Sequence, residues 1–417
     1  MESEAVRKAR AARQASYALA NADTTVKNNA LTYIADDLLA QASSIMEANA
    51  ADVAAAREKG MSDAMIDRLT LTPDRIRGMA EGVRQVIALP DPVGQTLASW
   101  DRPNGLHIDK VTVPLGVIAI IFESRPNVTV DAAVLCLKSG NATVLRGGSE
   151  AIHSNVALAG VIRHAIARAG LPSDAVTIME NTDRALVGEL LTLRQYINLA
   201  IPRGGAGLIR MVVDTAKVPV IETGSGVCHV YVDKDADLDM AVSIIENAKV
   251  SRPSTCNAME TLLVHKDVVQ PLMEKLVPVL KARHVEMRAD TAAREAGGTG
   301  IEMASEEDWR TEYNALIMSI RTVSSLDEAL DHIRRYSTHH SETIVTENTD
   351  TAERFLQEVD SAAVYVNAST RFTDGFEFGF GAEIGISTQK LHARGPMGLE
   401  ALVSYKYLIH GKGQIRQ

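Results

Sequence analysis

The sequence predicts an α/β fold with two doubly wound domains and a small β-arm. Three observations support this prediction: short β-branched runs alternate with helix-length segments from Val113 onward, the alternation starts again after Gly226, and two segments fit neither series. Near-continuous apolar strands separated by amphipathic helices are typical of a parallel sheet covered on both faces. Ligands bind at the carboxyl ends of such strands, so we expect the site there, in a cleft between the domains.

The elements follow in chain order. From about Ser3 to Met79 the chain is Ala-rich with helical spacing of its apolar residues, which predicts several amphipathic helices. The strands predicted for the first domain are Gly116–Phe122, Thr143–Leu145, Val176–Met179, Tyr196–Ala200 and Val218–Ile221. The strands predicted for the second domain are His229–Val232, Glu260–Val264, Ala315–Ile320, Thr343–Thr346 and Ala363–Val366.

These elements set the expected boundaries. Residues 1–98 and 114–226 form the first α/β domain with its N-terminal helices, residues 227–398 form the second, and residues 99–113 with 399–417 form the arm. The tail alternates in strand fashion over Ser404–His410. Unpaired strand edges favour pairing with another subunit, although an ordinary edge strand explains the pattern equally well.

Composition excludes several classes of function. Acidic residues outnumber basic ones by 53 to 43, so the net charge of −10 repels nucleic acid and anionic membranes. The longest apolar stretch, Gly116–Phe122, is too short to span a bilayer, and the N-terminus lacks the apolar core of a signal peptide. Three cysteines without metal-ligand spacing predict no disulfide framework, no metal and a cytoplasmic location.

Cys256 is the candidate nucleophile. It lies in Val250–Ala258 among hydroxyls and an amide, just after a proline, where packing explains a thiol poorly. Cys136 and Cys228 occupy apolar runs and are predicted to be core residues. A reactive thiol needs partial exposure and nearby cations or dipoles, which Arg252 or a helix N-terminus would supply. The alternative is that Cys256 is inert, as most intracellular cysteines are.

Two glycine-rich turns are candidates for binding phosphate. No GxGxxG fingerprint follows an early strand, but Leu145–Glu150 and Ile201–Leu208 each join a strand to a helix and carry an arginine. The candidate cofactor-binding residues are Arg146, Gly147, Ser149, Arg203, Gly204 and Gly205. Glycines also make ordinary tight strand-to-helix connections, and Arg146 would then form a surface ion pair.

Polar residues close the longest apolar strand at Phe122–Val128. Arg125 or Asn127 could bind an anionic substrate or stabilise an oxyanion, or the segment could be a polar turn that caps the next helix. Farther on, the segment Tyr365–Asp374 is followed by Phe378–Gly385, where glycines stand beside aromatic residues. This pattern indicates either a loop shaped to a ligand or an irregular loop that needs positive φ angles.

Together these segments resemble the aldehyde dehydrogenase superfamily over nearly the whole chain. The resemblance is carried by Pro114–Val117, Phe122–Thr129, Arg146–Glu150, Glu222–Gly226, Arg252–Asn257, Asp308–Trp309, Thr311–Tyr313, Tyr365–Gly375 and Phe378–Thr388. It implies an aldehyde-dehydrogenase-like fold whose first domain binds NADP and whose second domain is catalytic.

Within that superfamily, the chain closely resembles the branch that reduces L-glutamyl 5-phosphate with NADPH to L-glutamate 5-semialdehyde, in the second step of proline biosynthesis. It implies that Cys256 attacks the acyl carbon, expels phosphate and forms a thioester. The Cys256 backbone amide would help hold the oxyanion. It also implies a homo-oligomer, either dimer or tetramer, and a functional link to glutamate 5-kinase, which supplies the substrate.

The resemblance assigns further roles. Asn257 and Arg371 join Arg125 and Asn127 as residues that bind the substrate or the oxyanion. Arg125 stands near the place where oxidising members carry an asparagine, and Arg146 replaces a lysine that contacts the adenosine ribose. Glu312 matches a residue that binds the nicotinamide ribose. Glu222, grouped with the cofactor-binding residues, matches a water-activating glutamate that this reaction does not need.

Two alternatives remain open from the sequence. An oxidising aldehyde dehydrogenase that acts on a small amino-acid aldehyde would use the same thiol and cofactor. A non-catalytic protein that keeps the fold is the second, and the intact segment around Cys256 argues against it.

Overall fold

Two parallel sheets organise the structure, a computed structural model that describes residues 2–416. The chain divides into two units, each described here by itself. The first unit comprises the described parts of Met1–Thr223, Gly379–Gly385 and Met397–Gln417. The second comprises Gly224–Phe378 and Ile386–Pro396. No helix within 2–416 combines the length and apolar character that a bilayer crossing requires.

The first unit begins with five helices, as the Ala-rich pattern predicts. They are α1 Glu4–Leu19, α2 Thr24–Ala40, α3 Ala42–Glu58, α4 Asp63–Leu69 and α5 Pro73–Ala88. Side-chain caps fix the starts of α1, α2 and α5; for example, Asp23 accepts from the Val26 amide at 3.0 Å, and Thr72 accepts from the Arg75 amide at 3.2 Å. Pro73 occupies the first turn of α5, where its missing N–H costs nothing.

Two strands, β1 Thr96–Asp101 and β2 His107–Pro114, precede the sheet of the first unit. The strands of that sheet are β3 Val117–Phe122, β4 Ala142–Arg146, β5 Val176–Ile178 and β6 Leu199–Arg203. The helices around it are α6 Asn127–Lys138, α7 Ile152–Arg168, α8 Arg184–Leu190 and α9 Ala206–Thr215. All four strands are parallel in the order β5-β4-β3-β6, and every residue of β3 is buried.

Two predicted strands of this sheet differ from the structure. The strand predicted at Tyr196–Ala200 begins only at Leu199, because the Tyr196 and Ile197 amides donate to the Leu193 carbonyl in a turn. The strand predicted at Val218–Ile221 is wrong, since this segment forms only one bridge, between Ala200 and Val220. Pro219 lies in its middle and has no N–H to extend a ladder.

The second unit contains a seven-stranded parallel sheet in the order β10-β9-β11-β8-β7-β12-β13. Its strands are β7 Cys228–Val232, β8 Met259–His265, β9 Glu286–Ala289, β10 Glu302–Met303, β11 Ile317–Val323, β12 Ser341–Val345 and β13 Ala363–Val366. Its helices are α10 Leu238–Val250, α11 Val269–Ala282, α12 Thr291–Gly297, α13 Leu326–Tyr336 and α14 Thr349–Glu358. Short strands β14 Ile386–Ser387 and β15 Gly395–Pro396 pair separately.

The five strands predicted for the second domain are confirmed within a few residues, whereas β9 and β10 were not predicted. Only Met287 and Ala289 of β9 are buried, and both residues of β10 are exposed, so neither strand has a long apolar run. The central strands β7 and β8 are buried along their whole length. The segment that precedes β8 is therefore attached to strands that lie in the core of the sheet.

The arm is a three-stranded antiparallel sheet of the first unit. The tail strand β16 Val403–His410 pairs with β2 from Val403 opposite Pro114 to His410 opposite His107, and β1 lies on the other side of β2. Every residue of β1 is exposed, as is most of β16. The alternation in the tail is therefore a true strand pattern.

Candidate active site

Cys256 lies on the segment that joins α10 to β8 in the second unit. It is half-buried, whereas Cys136 and Cys228 are completely buried, as their apolar surroundings predict. The segment turns tightly, because the Ala258 amide donates to the Thr255 carbonyl at 2.9 Å. Among the three thiols, Cys256 is therefore the one whose exposure suits a nucleophile.

Asn257 and Arg371, both expected at the substrate, bond to each other. The Arg371 guanidinium donates to the Asn257 side-chain oxygen, to Thr255 Oγ1 at 2.9 Å and to Ser251 Oγ at 3.0 Å. Asn257 Nδ2 donates in turn to the carbonyls of Arg371 and Thr373, at 3.2 and 3.0 Å. Arg371 thus spans residues 251–258, which carry Cys256 and are called the nucleophile segment below. Burial, together with the nearby Arg252 charge, lowers the pKa of Arg371.

The polypeptide before β7 closely approaches Cys256. A methyl group on Gly226 would lie 1.4 Å from the Cys256 carbonyl oxygen, so only glycine fits there. The Gly226 amide donates to Glu312 Oε1 at 2.8 Å. Glu312 therefore anchors the backbone beside Cys256, and its predicted contact with the nicotinamide ribose stays a prediction.

A buried ion pair joins the two ends of the nucleophile segment. Lys249, near the end of α10, binds the Glu260 carboxylate in β8 and donates to the Met259 carbonyl at 2.9 Å. Both side chains are almost fully buried. Burial raises the pKa of Glu260 and lowers that of Lys249, and their mutual attraction opposes both shifts.

A chain of buried polar side chains continues from Cys228. The Cys228 thiol donates to the Cys256 carbonyl at 3.2 Å and lies 3.7 Å from His340 Nδ1. His340 bonds to Ser341 at 2.8 Å, and the Thr373 hydroxyl lies 2.6 Å from Ser341 and 2.7 Å from the Tyr365 hydroxyl. The sequence prediction missed this chain, because Cys228 begins an apolar strand pattern and no local pattern marks His340, which lies between His339 and Ser341. Only the hydroxyl-rich stretch from Tyr365 to Thr373 gave a signal.

In the first unit, Arg125 and Asn127 follow β3 as expected. Asn127 is exposed at the start of α6 and donates to Asp131 at 2.9 Å, while Arg125 is half-buried. Burial raises the pKa of Asp131 to about 6, against the opposing effects of Asn127 and the Arg203 charge. Asn127 is therefore part of a local polar group, and its oxyanion role stays a prediction.

The turn after β4 holds Arg146, Gly147 and Ser149. Arg146 is half-buried and donates to the Gly147 carbonyl at 2.6 Å and the Thr182 carbonyl at 2.9 Å, while Ser149 is exposed. At the start of α7, the amides of His153 and Ser154 donate to the Asp52 carboxylate at 3.2 and 2.8 Å. These two amides are therefore not available to a phosphate.

The turn after β6 has open space beside its last glycine. A methyl group on Gly205, directly before α9, would meet no atom within 4 Å. Glu123 Oε2 accepts from the Gly205 amide at 3.0 Å, and Gly204 packs against the same carboxylate. Arg203 is half-buried beside Gly385. Exposed glycine backbone at a helix start fits the close approach of a dinucleotide phosphate.

In the second unit, Asn257 bonds to Arg371, and Glu312 bonds to Gly226 beside Cys256. The predicted residues of the first unit lie at the ends of three strands. Cys256, Asn257, Arg371 and Glu312 belong to the second unit. Glu222 is half-buried at the end of the first unit. Among residues 2–416, no group of three or more His, Cys, Asp or Glu side chains could hold a metal ion.

Comparison with known proteins agrees with this geometry. Residues 2–298 match the model of the aldehyde dehydrogenase family. The chain belongs to the aldehyde dehydrogenase family. It is 58% identical over 410 residues to the γ-glutamyl phosphate reductase of Moorella thermoacetica, which covers 98% of each chain. The corresponding enzyme of Halothermothrix orenii is 54% identical over the full length of both chains.

Solved structures of this family share the fold. The crystal structure of γ-glutamyl phosphate reductase from Thermotoga maritima matches with a TM-score of 0.97 and 50% identity over the whole of both chains. An acetylating aldehyde dehydrogenase from Geobacillus thermoglucosidasius matches with a TM-score of 0.71 at 16% identity, covering 99% and 98% of the two chains. The predicted aldehyde-dehydrogenase-like fold is confirmed, and so is the resemblance to γ-glutamyl phosphate reductase.

Proposed function

We propose that this chain reduces L-glutamyl 5-phosphate to L-glutamate 5-semialdehyde with NADPH and releases phosphate, as a cytoplasmic enzyme of proline biosynthesis. The observation that carries the proposal is that the half-exposed Cys256 lies on a segment to which the Arg371 guanidinium is hydrogen-bonded. Full-length relatives named γ-glutamyl phosphate reductase support the choice of substrate.

The first step forms a thioester. Cys256 Sγ, as thiolate, attacks the acyl carbon, the C–O bond to the phosphoryl group breaks, and phosphate leaves with the bonding electrons. The backbone amide of Cys256 stabilises the oxyanion of the tetrahedral intermediate. Arg371 and Arg252 place two guanidinium groups at this segment, and paired guanidiniums suit a phosphate dianion. Asn257 holds Arg371 in place.

The second step returns the thiolate. When bound, the reduced nicotinamide supplies the hydride that the thioester carbon accepts. The resulting thiohemiacetal oxyanion re-forms a carbonyl as its C–S bond breaks, which releases the aldehyde and regenerates the Cys256 thiolate. The two steps consume no water, so Glu222 has no hydrolytic role in them.

Residues of the first unit fit the cofactor. The open space beside Gly205 would receive the pyrophosphate, with Arg203 as a flanking cation, and the Gly205 amide would exchange its bond to Glu123 for one to the phosphate. Arg146 and Ser149 would contact the adenosine phosphate that distinguishes NADPH from NADH. In the second unit, Glu312 would accept hydrogen bonds from the nicotinamide ribose.

The phosphate dependence of the reverse reaction tests the proposal. Glutamate semialdehyde should sustain NADP reduction beyond one turnover only when inorganic phosphate or arsenate is present, because an anion must cleave the Cys256 thioester. Turnover that releases glutamate without phosphate would instead favour the oxidising alternative. Parallel assays with NAD would measure the cofactor preference.

We also propose that the arm joins subunits into a dimer or tetramer. Apolar side chains are exposed on its outer strands, among them Leu97, Tyr407 and Ile409. Such strands favour pairing with a second copy. Light scattering should give a mass of two or four chains for the native protein and a smaller mass for Ile409→Lys. An unchanged mass would contradict this role for β16.

A further inference from the structure

Two residues of one short segment converge on the Cys256 carbonyl oxygen. The Cys228 thiol donates to it at 3.2 Å, and Gly226 leaves no room for even a methyl group beside it. Cys228 is completely buried at the first position of β7, a strand that is buried throughout. The main-chain oxygen of the proposed nucleophile is therefore held by a side chain on a rigid strand.

Cys228 is suited to donate rather than to react. Burial, with the nearby Glu342 carboxylate, raises the pKa of its thiol well above the usual value, so the sulfur keeps its proton at neutral pH. Its neighbour His340 is also buried, which lowers the pKa of that imidazole to about 4 and keeps it neutral. A neutral, hydrogen-bonded thiol in this position acts as a donor to the backbone.

The next carbonyl along the chain is held in the same way. The Thr370 hydroxyl, which is completely buried, donates to the Asn257 carbonyl oxygen at 2.7 Å. Each peptide group is planar, so fixing a carbonyl oxygen also fixes the orientation of the following amide. Cys228 and Thr370 thus fix two successive peptide planes on the carboxyl side of Cys256.

We propose that Cys228 and Thr370 are positioning residues that hold the Cys256 main chain in the orientation needed for attack on the acyl carbon. This inference rests on the proposed function, in which Cys256 is the nucleophile. A nucleophile displaced by about 1 Å can lose on the order of 100-fold in rate without losing substrate affinity. Removing either donor should therefore lower kcat far more than it changes KM.

The first test compares Cys228, which contacts the Cys256 carbonyl, with Cys136, a buried cysteine in α6. Cys228→Ala should lower kcat by about 10- to 100-fold with KM within about twofold of the wild type. Cys228→Ser, which restores a donor, should recover most of the loss. Cys136→Ala is the matched control, because Cys136 is equally buried but lies in α6 of the first unit. It should unfold at a lower temperature than the wild type and keep its kcat.

Thr370, the second donor, is tested separately, so that a result is obtained even if the Cys228 variants do not fold. Thr370→Val removes the hydroxyl at nearly constant volume and should lower kcat, whereas Thr370→Ser should preserve it. Unchanged kcat in Thr370→Val or in folded Cys228→Ala would overturn the inference, as would an equal loss in Cys136→Ala. If instead Cys256→Ser kept full activity, the proposed function itself would fail.

Discussion

The nucleophile segment of the second unit and the glycine turn after β6 in the first unit are built on opposite principles. Around Cys256, backbone and side chains are bonded to one another, through Arg371, Cys228 and the buried pair of Lys249 and Glu260. At Gly205 the amide donates to Glu123, but no atom lies within 4 Å of the position where a side chain would project.

This difference indicates two kinds of chemistry. A group that forms a covalent bond must be held in one orientation, since its rate depends on alignment. A reversibly bound phosphate needs exposed donors and room to enter. Substitutions in the nucleophile segment should therefore change kcat, while those at the glycine turn should change the KM for the cofactor.

Removing the nucleophile should have the largest effect. We expect Cys256→Ala to lower kcat by more than about 10⁴-fold, because no other group forms the thioester. Steady-state kinetics in both directions would measure the loss. The melting temperature and the affinity for NADPH should stay close to the wild-type values. A Cys256→Ala variant that kept a tenth of the activity would contradict the role of Cys256 as the nucleophile.

Breaking the buried ion pair should have the next largest effect. Lys249→Met leaves Glu260 buried without its partner and should cost about 3–5 kcal/mol of unfolding free energy. Denaturant unfolding followed by Trp309 fluorescence in a Trp100→Phe background would report on the second unit. Adding Glu260→Leu should restore much of the stability, because no uncompensated charge remains.

The matched control is Lys27→Met in the first unit, where Lys27 pairs with Asp91 in a similarly buried site. Both lysine variants should be less stable than the wild type. Only Lys249→Met should also lower kcat, since Lys249 joins the two ends of the Cys256 segment. Equal kcat losses in the two variants would show that the Lys249–Glu260 pair has no specific effect on the nucleophile segment.

Acid should weaken the second unit selectively. Burial lowers the pKa of His332 to about 2 and that of His340 to about 4, so the unfolded chain binds protons below about pH 6.5 that the folded unit does not. Stability is therefore lost as the pH falls, by about 2 kcal/mol for each histidine between pH 7 and 5, and the raised pKa of Glu260 offsets part of this loss because its folded form binds a proton first. Denaturant unfolding of His332→Phe at pH 7 and pH 5 should show a smaller fall in unfolding free energy than the wild type. An unchanged fall would show that His332 does not contribute to the acid sensitivity.

The smallest expected effect is at the open glycine turn. Gly205→Ala adds a methyl group where the cofactor phosphate would approach, and should raise the KM for NADPH by about tenfold with kcat nearly unchanged. Gly160→Ala is the control, since it adds a methyl group to an equally open position within α7. That change should stabilise the helix by about 0.5–1 kcal/mol and leave the KM unaltered.

The sequence could predict the fold and the candidate nucleophile because both have local signals. The apolar run of β3 and the polar neighbours of Cys256 are visible within a few residues. The sequence could not reveal contacts between distant segments, such as Cys228 with the Cys256 carbonyl or Asp52 with the start of α7. Cys228 lies in an apolar strand pattern, so its role as a donor depends on an approach that only the folded backbone shows.

Pre-steady-state kinetics would test most directly whether Cys256 forms the acyl intermediate. Mixing the wild-type protein with glutamate semialdehyde and NADP, without phosphate, should give a burst of about one NADPH per chain, with one glutamyl group found on Cys256 by mass spectrometry. Cys256→Ala should give no burst and no adduct. A wild-type protein that produces NADPH without any adduct on Cys256, or a burst that persists in Cys256→Ala, would contradict the account.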